Sequence, residues 1–365
     1  MARAAVVIAH TYPFNPAWEA EIRATNGPIS AGITNRVSQI YKVLLELELR
    51  RQGVYRRQGS HAALSRTQWE IAYQELLLAG RVMSTFNAVL YRRQKLQIVE
   101  ETFELNAQTL ERVNALQGTK TTAADAIFAR TELDDARALL GVSRAVLVTA
   151  QNDLRRQLGV VDVDFDLIGH LDPTVDEWEV EVLTKAALEN RPDLRGKAAA
   201  VAEAEAQLSL AIANRYGNPT AGPSYEYDPS RINLIGVQFS LPLPILNTHK
   251  GDIFQRQAER DRANLEVRQN EIQIRQDVKT ALDRLHAAGR LVKTYENQIL
   301  PSLRRAQKDI GDLFEQGTTD VFHIIDVRRK LLRAREGYLD ALFEVSQARA
   351  ELAIAVGDPA LPSAR

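Results

Sequence analysis

Residues 235–241 alternate strictly. Ile235, Val237, Phe239 and Leu241 fall on one face of an extended chain, and Gly236, Gln238 and Ser240 fall on the other. Just upstream, Ala221, Pro223, Tyr225 and Tyr227 oppose Thr220, Gly222, Ser224 and Glu226, with Asp228-Pro229-Ser230 between the two runs. Near the start, Trp18, Ala20 and Ile22 oppose Glu19, Glu21 and Arg23. A period of two between turn residues predicts strand-turn-strand, here over 220–227 and 232–241 and again in the early segment. Strands of this length suit a tilted crossing of a bilayer. A soluble hairpin lying on helices is the plainer alternative.

Elsewhere the period changes to 3.5. Leu285, Ala288, Val292, Tyr295, Ile299, Leu303, Ala306, Ile310 and Leu313 step by three and four, the seam of a coiled coil. Residues 251–314 would reach ~96 Å if wholly helical, and Pro301 predicts a kink. A return arm from Val321 continues with Ile324, Leu331, Tyr338, Leu342, Val345 and Leu352. Arg191-Pro192-Asp193 opens a further helix, with Pro and Asp in its first turn and Leu194, Ala198, Val201, Leu208 and Ile212 as its stripe.

These patterns occur twice. Gln117-Gly118-Thr119 returns as Gln316-Gly317-Thr318 at an offset of 199, and Ala136-Arg137 returns as Ala334-Arg335 at 198. Ala150 matches Ala348, and Leu154-x4-Gly159 matches Leu352-x4-Gly357. Asn15-Pro16 matches Asn218-Pro219 at 203, and Gly32 matches Gly236 at 204. Two structural repeats are expected, 1–160 and 182–365, joined by an acidic linker over 161–181. Residues 160–181 carry Asp and Glu with no Lys or Arg, which reads as a solvated connection or as a surface that attracts cations. The second repeat has a whole helix ahead of its Asn-Pro, whereas the first has only fourteen residues there. The expectation is therefore a first repeat that has lost most of its first helix, with any export signal lost alongside it.

Composition removes whole function classes. With 46 Lys+Arg against 47 Asp+Glu the net charge is −1, without the basic excess that nucleic-acid binding requires. There are no cysteines, so disulfides, thiolate metal sites and cysteine nucleophiles are out. The six histidines, His10, His61, His170, His249, His286 and His323, show no HxxxH or HxxH spacing, and no metal centre within one chain is expected. No phosphate-binding loop and no nucleophile elbow is present, which argues against an enzyme. No run of eighteen apolar residues exists to span a bilayer as a helix. Two hairpins supply only four strands, too few to close a barrel, and open edges cannot face lipid. Membrane strands would oblige several chains to pool their hairpins.

The duplicated order of hairpin and long coiled coil, together with three motifs, resembles the TolC family of outer-membrane efflux proteins. The motifs are Glu189-Asn-Arg-Pro-Asp-Leu194, Gly236-x5-Pro242-Leu-Pro-Ile-Leu-Asn247-x3-Gly251 and Phe314-x2-Gly317-x8-Asp326. The Pro-Leu-Pro run leans towards the CzcC-like branch that serves heavy-metal pumps. The resemblance implies a mostly α fold with two β-hairpins. It implies a homotrimer whose four strands per chain close a twelve-stranded transmembrane barrel, with the helices continuing as a periplasmic α-barrel. It also implies a periplasmic adaptor and an inner-membrane pump as partners, no cofactor, and a passive duct. On that reading Trp18, Ala20, Ile22, Tyr225, Tyr227, Ile235, Val237 and Phe239 face lipid, while Glu19, Glu21, Arg23, Gln238 and Ser240 face the lumen. Gly118 and Gly317 mark the coiled-coil tips, and Asp326 with His323 forms the pore constriction. The competing reading is a periplasmic adaptor or a coiled-coil scaffold.

Overall fold

A computed structural model describes residues 1–24, 37–116, 121–160, 163, 166–245, 247–315 and 321–360. A short helix α1 (Ala2–His10) leads into strands β1 (Ala17–Ala24) and β2 (Val37–Glu46), then the long helices α2 (Gln52–Ala115) and α3 (Ala123–Leu158). After an extended stretch come α4 (Val180–Asn190), α5 (Pro192–Asn214), β3 (Thr220–Tyr227) and β4 (Asn233–Ser240). The chain closes with α6 (Lys250–Thr294), a π-helical segment (Tyr295–Ile299), α7 (Leu300–Glu315) and α8 (Val321–Val356). The order helix, two strands, two long arms therefore occurs twice. No helix among the described residues is long and apolar enough to cross a membrane.

Two compact units form, and each draws on both halves of the chain: Met1–Ala72 with Pro192–Glu271, and Tyr73–Arg191 with Ile272–Arg365. In the first, all four strands join one antiparallel sheet in the order β1-β2-β3-β4. The hairpins of the two repeats thus meet at β2–β3. That seam is closest at Gly222, where a side-chain Cβ would lie 1.7 Å from the Val43 carbonyl oxygen, so only glycine fits. The β2–β3 ladder runs from Gln39↔Tyr227 to Lys42↔Ser224 and resumes at Leu45↔Ala221. The interruption falls beside Pro223, which has no N–H to give. Asn218, of the repeated Asn-Pro, ties the base of the sheet together. Its amide donates to Glu46 Oε1 at 2.9 Å and accepts from Gln52 Nε2 at 2.6 Å.

In the second unit the Glu189–Leu194 motif meets the glycine that closes the second repeat. Arg191 is buried, and its guanidinium donates to Asp277 Oδ2 of α6 at 3.0 Å. Gly357, left-handed at φ +80°, lies against it, and a Cβ there would come 3.0 Å from Arg191 Cγ. Apolar burial runs along α6 (Ile274, Val278, Leu282, Leu285, Val292) and α8 (Leu331, Leu342, Val345, Leu352). It takes in the upstream part of the seam read from spacing and extends it back to Ile274, whereas Leu313 at the seam's far end is exposed. The kink expected at Pro301 takes the form of the π segment just ahead of it. Without an N–H at Pro301 the Asn297 carbonyl has no α-helical donor, and the Leu300 N–H bonds back to the Tyr295 carbonyl instead.

The acidic connection is anchored. Leu171 is buried, Val175 sits where Gly289 of α6 leaves room, and Arg93 donates to the Leu167 carbonyl at 2.7 Å and to Asp166 at 2.5 Å. Arg349 takes Asp172 at 3.7 Å. Basic residues on the helices neutralise part of the charge that sequence alone leaves to solvent.

Candidate functional site

The sheet register sorts side chains onto two faces. Trp18 pairs with Val43, Ala20 with Tyr41 and Ile22 with Gln39; Tyr41 pairs with Tyr225, Tyr225 with Ile235, Pro223 with Val237 and Ala221 with Phe239. Every residue expected on the apolar face therefore shares one face. Glu19, Glu21 and Arg23 share the other with Lys42, Ser224, Glu226, Gln238 and Ser240. Two members of the apolar face, Tyr41 and Val43, were not singled out from sequence. Their strand mixes Ile40 and Leu44 into the opposite face, which blurs the alternation.

Among the described residues nothing covers the apolar face at β4, where Ile235 is 86% exposed and Val237 80%. Branched side chains left this open on adjacent rungs call for an apolar surrounding. Trp18, Tyr41 and Tyr225 form a row across three strands, each neighbouring pair stacked with ring centres 6.4 Å apart. Amphipathic rings in a band suit a lipid–water boundary. Among the described residues both outer strands, β1 and β4, keep one unpaired edge.

The second group of expected residues lies on the first turns of α8. Ile325 is buried in a cluster with Val113 of α2 and Ala129 of α3, and this fixes which way the helix is turned. His323 and Asp326, one turn apart, then fall on a less buried side. His323 meets the Phe322 ring edge-on at 6.1 Å. Asp326 is paired with Lys330, one turn further on, at 2.9 Å. The Lys330 hydrogen bond, with Lys330, Arg329 and His323 adding positive charge, holds the Asp326 carboxyl below its ordinary range. Lys330 was missed from sequence although its i+4 spacing from Asp326 is legible. The expected tip glycines, Gly118 and Gly317, lie outside the described residues.

Behind this side is a cavity of about 290 Å³ lined by Glu132, Asp135, Arg328, Arg329 and Arg335 among others. Arg329 ion-pairs with Glu132 and lies over the Phe128 ring at 5.6 Å. Arg328 turns inward to the Leu105 carbonyl and the Thr109 hydroxyl of α2, with its Nε unpartnered. Burial, reinforced by nearby Arg112, lowers its pKa. These contacts lock α8 to α2 and α3 and so hold Asp326 in place. Among the described residues no group of three or more His, Asp or Glu gathers as a metal site.

Comparison with known proteins agrees with this geometry. Residues 183–358 match the family described as "Outer membrane efflux protein". The cobalt-zinc-cadmium resistance protein CzcC of Cupriavidus metallidurans is 23% identical over 275 residues, which are 74% of this chain and 65% of that protein. Among solved structures, the outer-membrane channel OprN superposes with a TM-score of 0.77 at 17% identity, covering 98% of this chain and 84% of its own. CusC gives a TM-score of 0.77 at 16% identity, with 98% and 86% covered. VceC of Vibrio cholerae gives 0.75 at 14%, with 98% and 89% covered. Sheet, long helical arms and matched segment converge: residues 183–358 are an outer membrane efflux protein domain, and the chain has the fold of the outer-membrane channels OprN and CusC.

Proposed function

We propose that the chain is the outer-membrane exit duct of a tripartite efflux system, a passive conduit and not an enzyme. Three copies pool four strands each into a twelve-stranded barrel, and the helices line a periplasmic tunnel. A periplasmic adaptor and an inner-membrane pump are its partners, and the pump supplies the energy. The two repeats, 1–160 and 182–365, joined by 161–181, are the units that this assembly arranges around one axis.

The observation that carries this reading is the sheet. It has one mainly apolar face, one mainly polar face and two edges that no described strand pairs with, and closure with further copies satisfies those edges in lipid. Trp18, Ile22, Tyr225, Tyr227, Ile235, Val237 and Phe239 are assigned to lipid, and Glu19, Glu21, Arg23, Gln238 and Ser240 to the lumen. An arginine on the lipid face costs about 2–4 kcal/mol at mid-bilayer, while the lumen tolerates it. Val237→Arg should therefore abolish trimers in outer-membrane extracts and Gln238→Arg should leave them intact. The reverse outcome would reject the assignment.

Asp326 and His323 form the narrow ring of the duct, three of each in a trimer. Carboxylate rings favour cations, and CzcC is named for cobalt, zinc and cadmium resistance. Metal cations are accordingly the preferred cargo, with small organic solutes second. Lys330 tempers the ring by pairing with Asp326. In single-channel recordings, multivalent cations added from the periplasmic side should block the wild-type pore. Asp326→Ala should weaken that block and Lys330→Met should strengthen it. Block unaltered by both changes would place the constriction elsewhere.

A further inference from the structure

His10 and His61 are separated by 51 positions, so no spacing rule joins them, yet their Nε2 atoms face each other at 3.3 Å. The ring centres are 5.5 Å apart and the planes near-perpendicular at 83°, so the rings meet through these nitrogens instead of stacking. His10 is the last residue of α1 and His61 lies in α2; both are exposed and both belong to the same compact unit.

Two interactions can bring ring nitrogens to this separation. A direct hydrogen bond from a ring N–H favours about 2.9–3.0 Å and weakens beyond about 3.2 Å. Two imidazole nitrogens bound to one tetrahedral ion at about 2.0–2.1 Å each are held about 3.3–3.4 Å apart. At 3.3 Å the pair is long for a direct ring hydrogen bond, though still within reach of one, and matches the spacing around a shared ion. The position of His10 adds a second reason. The final turn of α1 carries the negative end of the helix dipole, which favours a cation there. The Val7 and Ile8 carbonyls of that turn receive the Thr11 N–H, which fixes the end of the helix and the point from which His10 projects.

We propose that His10 and His61 bind one divalent cation of the zinc class through their Nε2 atoms, clipping α1 to α2. Imidazole ligands suit zinc, copper, nickel and cobalt ions and disfavour calcium and magnesium. Exposure of both rings leaves the remaining coordination positions to water. A helix as short as α1 is marginal by itself, so a two-ended clip to α2 holds it against the unit. The site is built from one chain and stands whether or not the duct reading holds.

The test is calorimetric titration of the full chain in detergent with zinc chloride alone, alongside His10→Ala, His61→Ala, the double variant and His170→Ala. Wild type and His170→Ala should show one site per chain that the double variant lacks. Each of the first two single variants should weaken it by about tenfold or more, since even outer-shell partners of metal ligands typically cost that much. Hydrogen exchange provides the structural readout: zinc should slow the amides of α1 in wild type and leave them unchanged in His61→Ala. Because the Asp326–His323 ring persists in every variant, a zinc stoichiometry in the double variant equal to that of wild type, or no zinc-dependent slowing of α1 in wild type, would overturn the proposal. Retained trimer and helical content in each variant separates loss of ligand from loss of fold.

Discussion

The outgoing arms of the two repeats start from the same plan and differ at one point. In the first repeat α2 is α-helical from Gln52 to Ala115 without interruption. In the second, the corresponding arm is broken into α6, the π segment and α7. The offset of 199 that aligns Gln117 with Gln316 places Thr102 opposite Pro301. Thr102 keeps its N–H, and its hydroxyl caps the Ile98 carbonyl at 2.7 Å. Pro301 has neither group, and the helix absorbs the loss by inserting a wider turn. That turn is then used. Tyr295 lies across Gly337 of α8, so close that a Cβ there would come 2.3 Å from its hydroxyl, and Tyr338 donates to Glu296 at 2.7 Å. The first repeat has Leu96 and Gln97 opposite Tyr295 and Glu296, and Leu139 and Leu140 opposite Gly337 and Tyr338. A regular arm and a jointed arm arise from the same pattern because one residue lacks a donor.

The sharpest way to break this contrast is to move the proline. Thr102→Pro would put a ring and a missing donor into a helix with no π turn to receive them, costing about 3 kcal/mol. Pro301→Ala removes the cause of the break but leaves a joint already packed, and surface-scale effects of about 0.5 kcal/mol are expected. Thermal melting followed by helical circular dichroism should show a large drop for the first and almost none for the second. Equal drops would mean that α2 is as tolerant of a joint as its counterpart.

What could be read in advance follows the same division between local and distant causes. The alternation in β3 and β4 was legible because each has a clean apolar side; β2 was not, since Ile40 and Leu44 share a face with Lys42 and Glu46. Pro301 announced a disruption, but not that it would take the form of a wider turn seated on Gly337. The acids after Gly159 looked solvated because their partners, Arg93 and Arg349, are far off in sequence. Leu171 and Val175 among those acids were the available sign of anchoring. Asp326 and His323 could be placed on one helical side from spacing alone. The pairing of His10 with His61 could not, because it depends on how α1 docks.

The second contrast lies at the glycine. Gly337→Val would drive a branched side chain into the Tyr295 ring and should cost about 1–3 kcal/mol as overpacking. Leu139→Val, at the aligned and exposed position of the first repeat, should stay within about 0.5 kcal/mol. Trimming the ring with Tyr295→Ala in the Gly337→Val background should recover part of the loss, because the two residues share one contact. A double variant no more stable than Gly337→Val alone would mean that the glycine serves something other than the tyrosine.

The smallest effect is the most local. Burial, and then the hydrogen bond to the Glu296 carboxylate, raise the Tyr338 phenol from 10 to about 12. A group whose folded pKa is raised contributes stability that is complete below its unfolded value and is lost as pH climbs through the folded one. The joint should therefore hold at neutral pH and weaken between 10 and about 12. Tyr91, bonded to Asp340, is also raised by burial and titrates in the same alkaline direction. The informative quantity is thus the difference in melting midpoint between wild type and Tyr338→Phe, followed against pH. That difference should be greatest at neutral pH and shrink towards zero as the phenol ionises. Leu140→Ala, at the aligned position of the first repeat, has no titrating group and should give a difference that does not vary with pH. If the Tyr338→Phe difference is equally flat, the hydroxyl contributes nothing through Glu296 and the joint is held by the Tyr295–Gly337 contact alone.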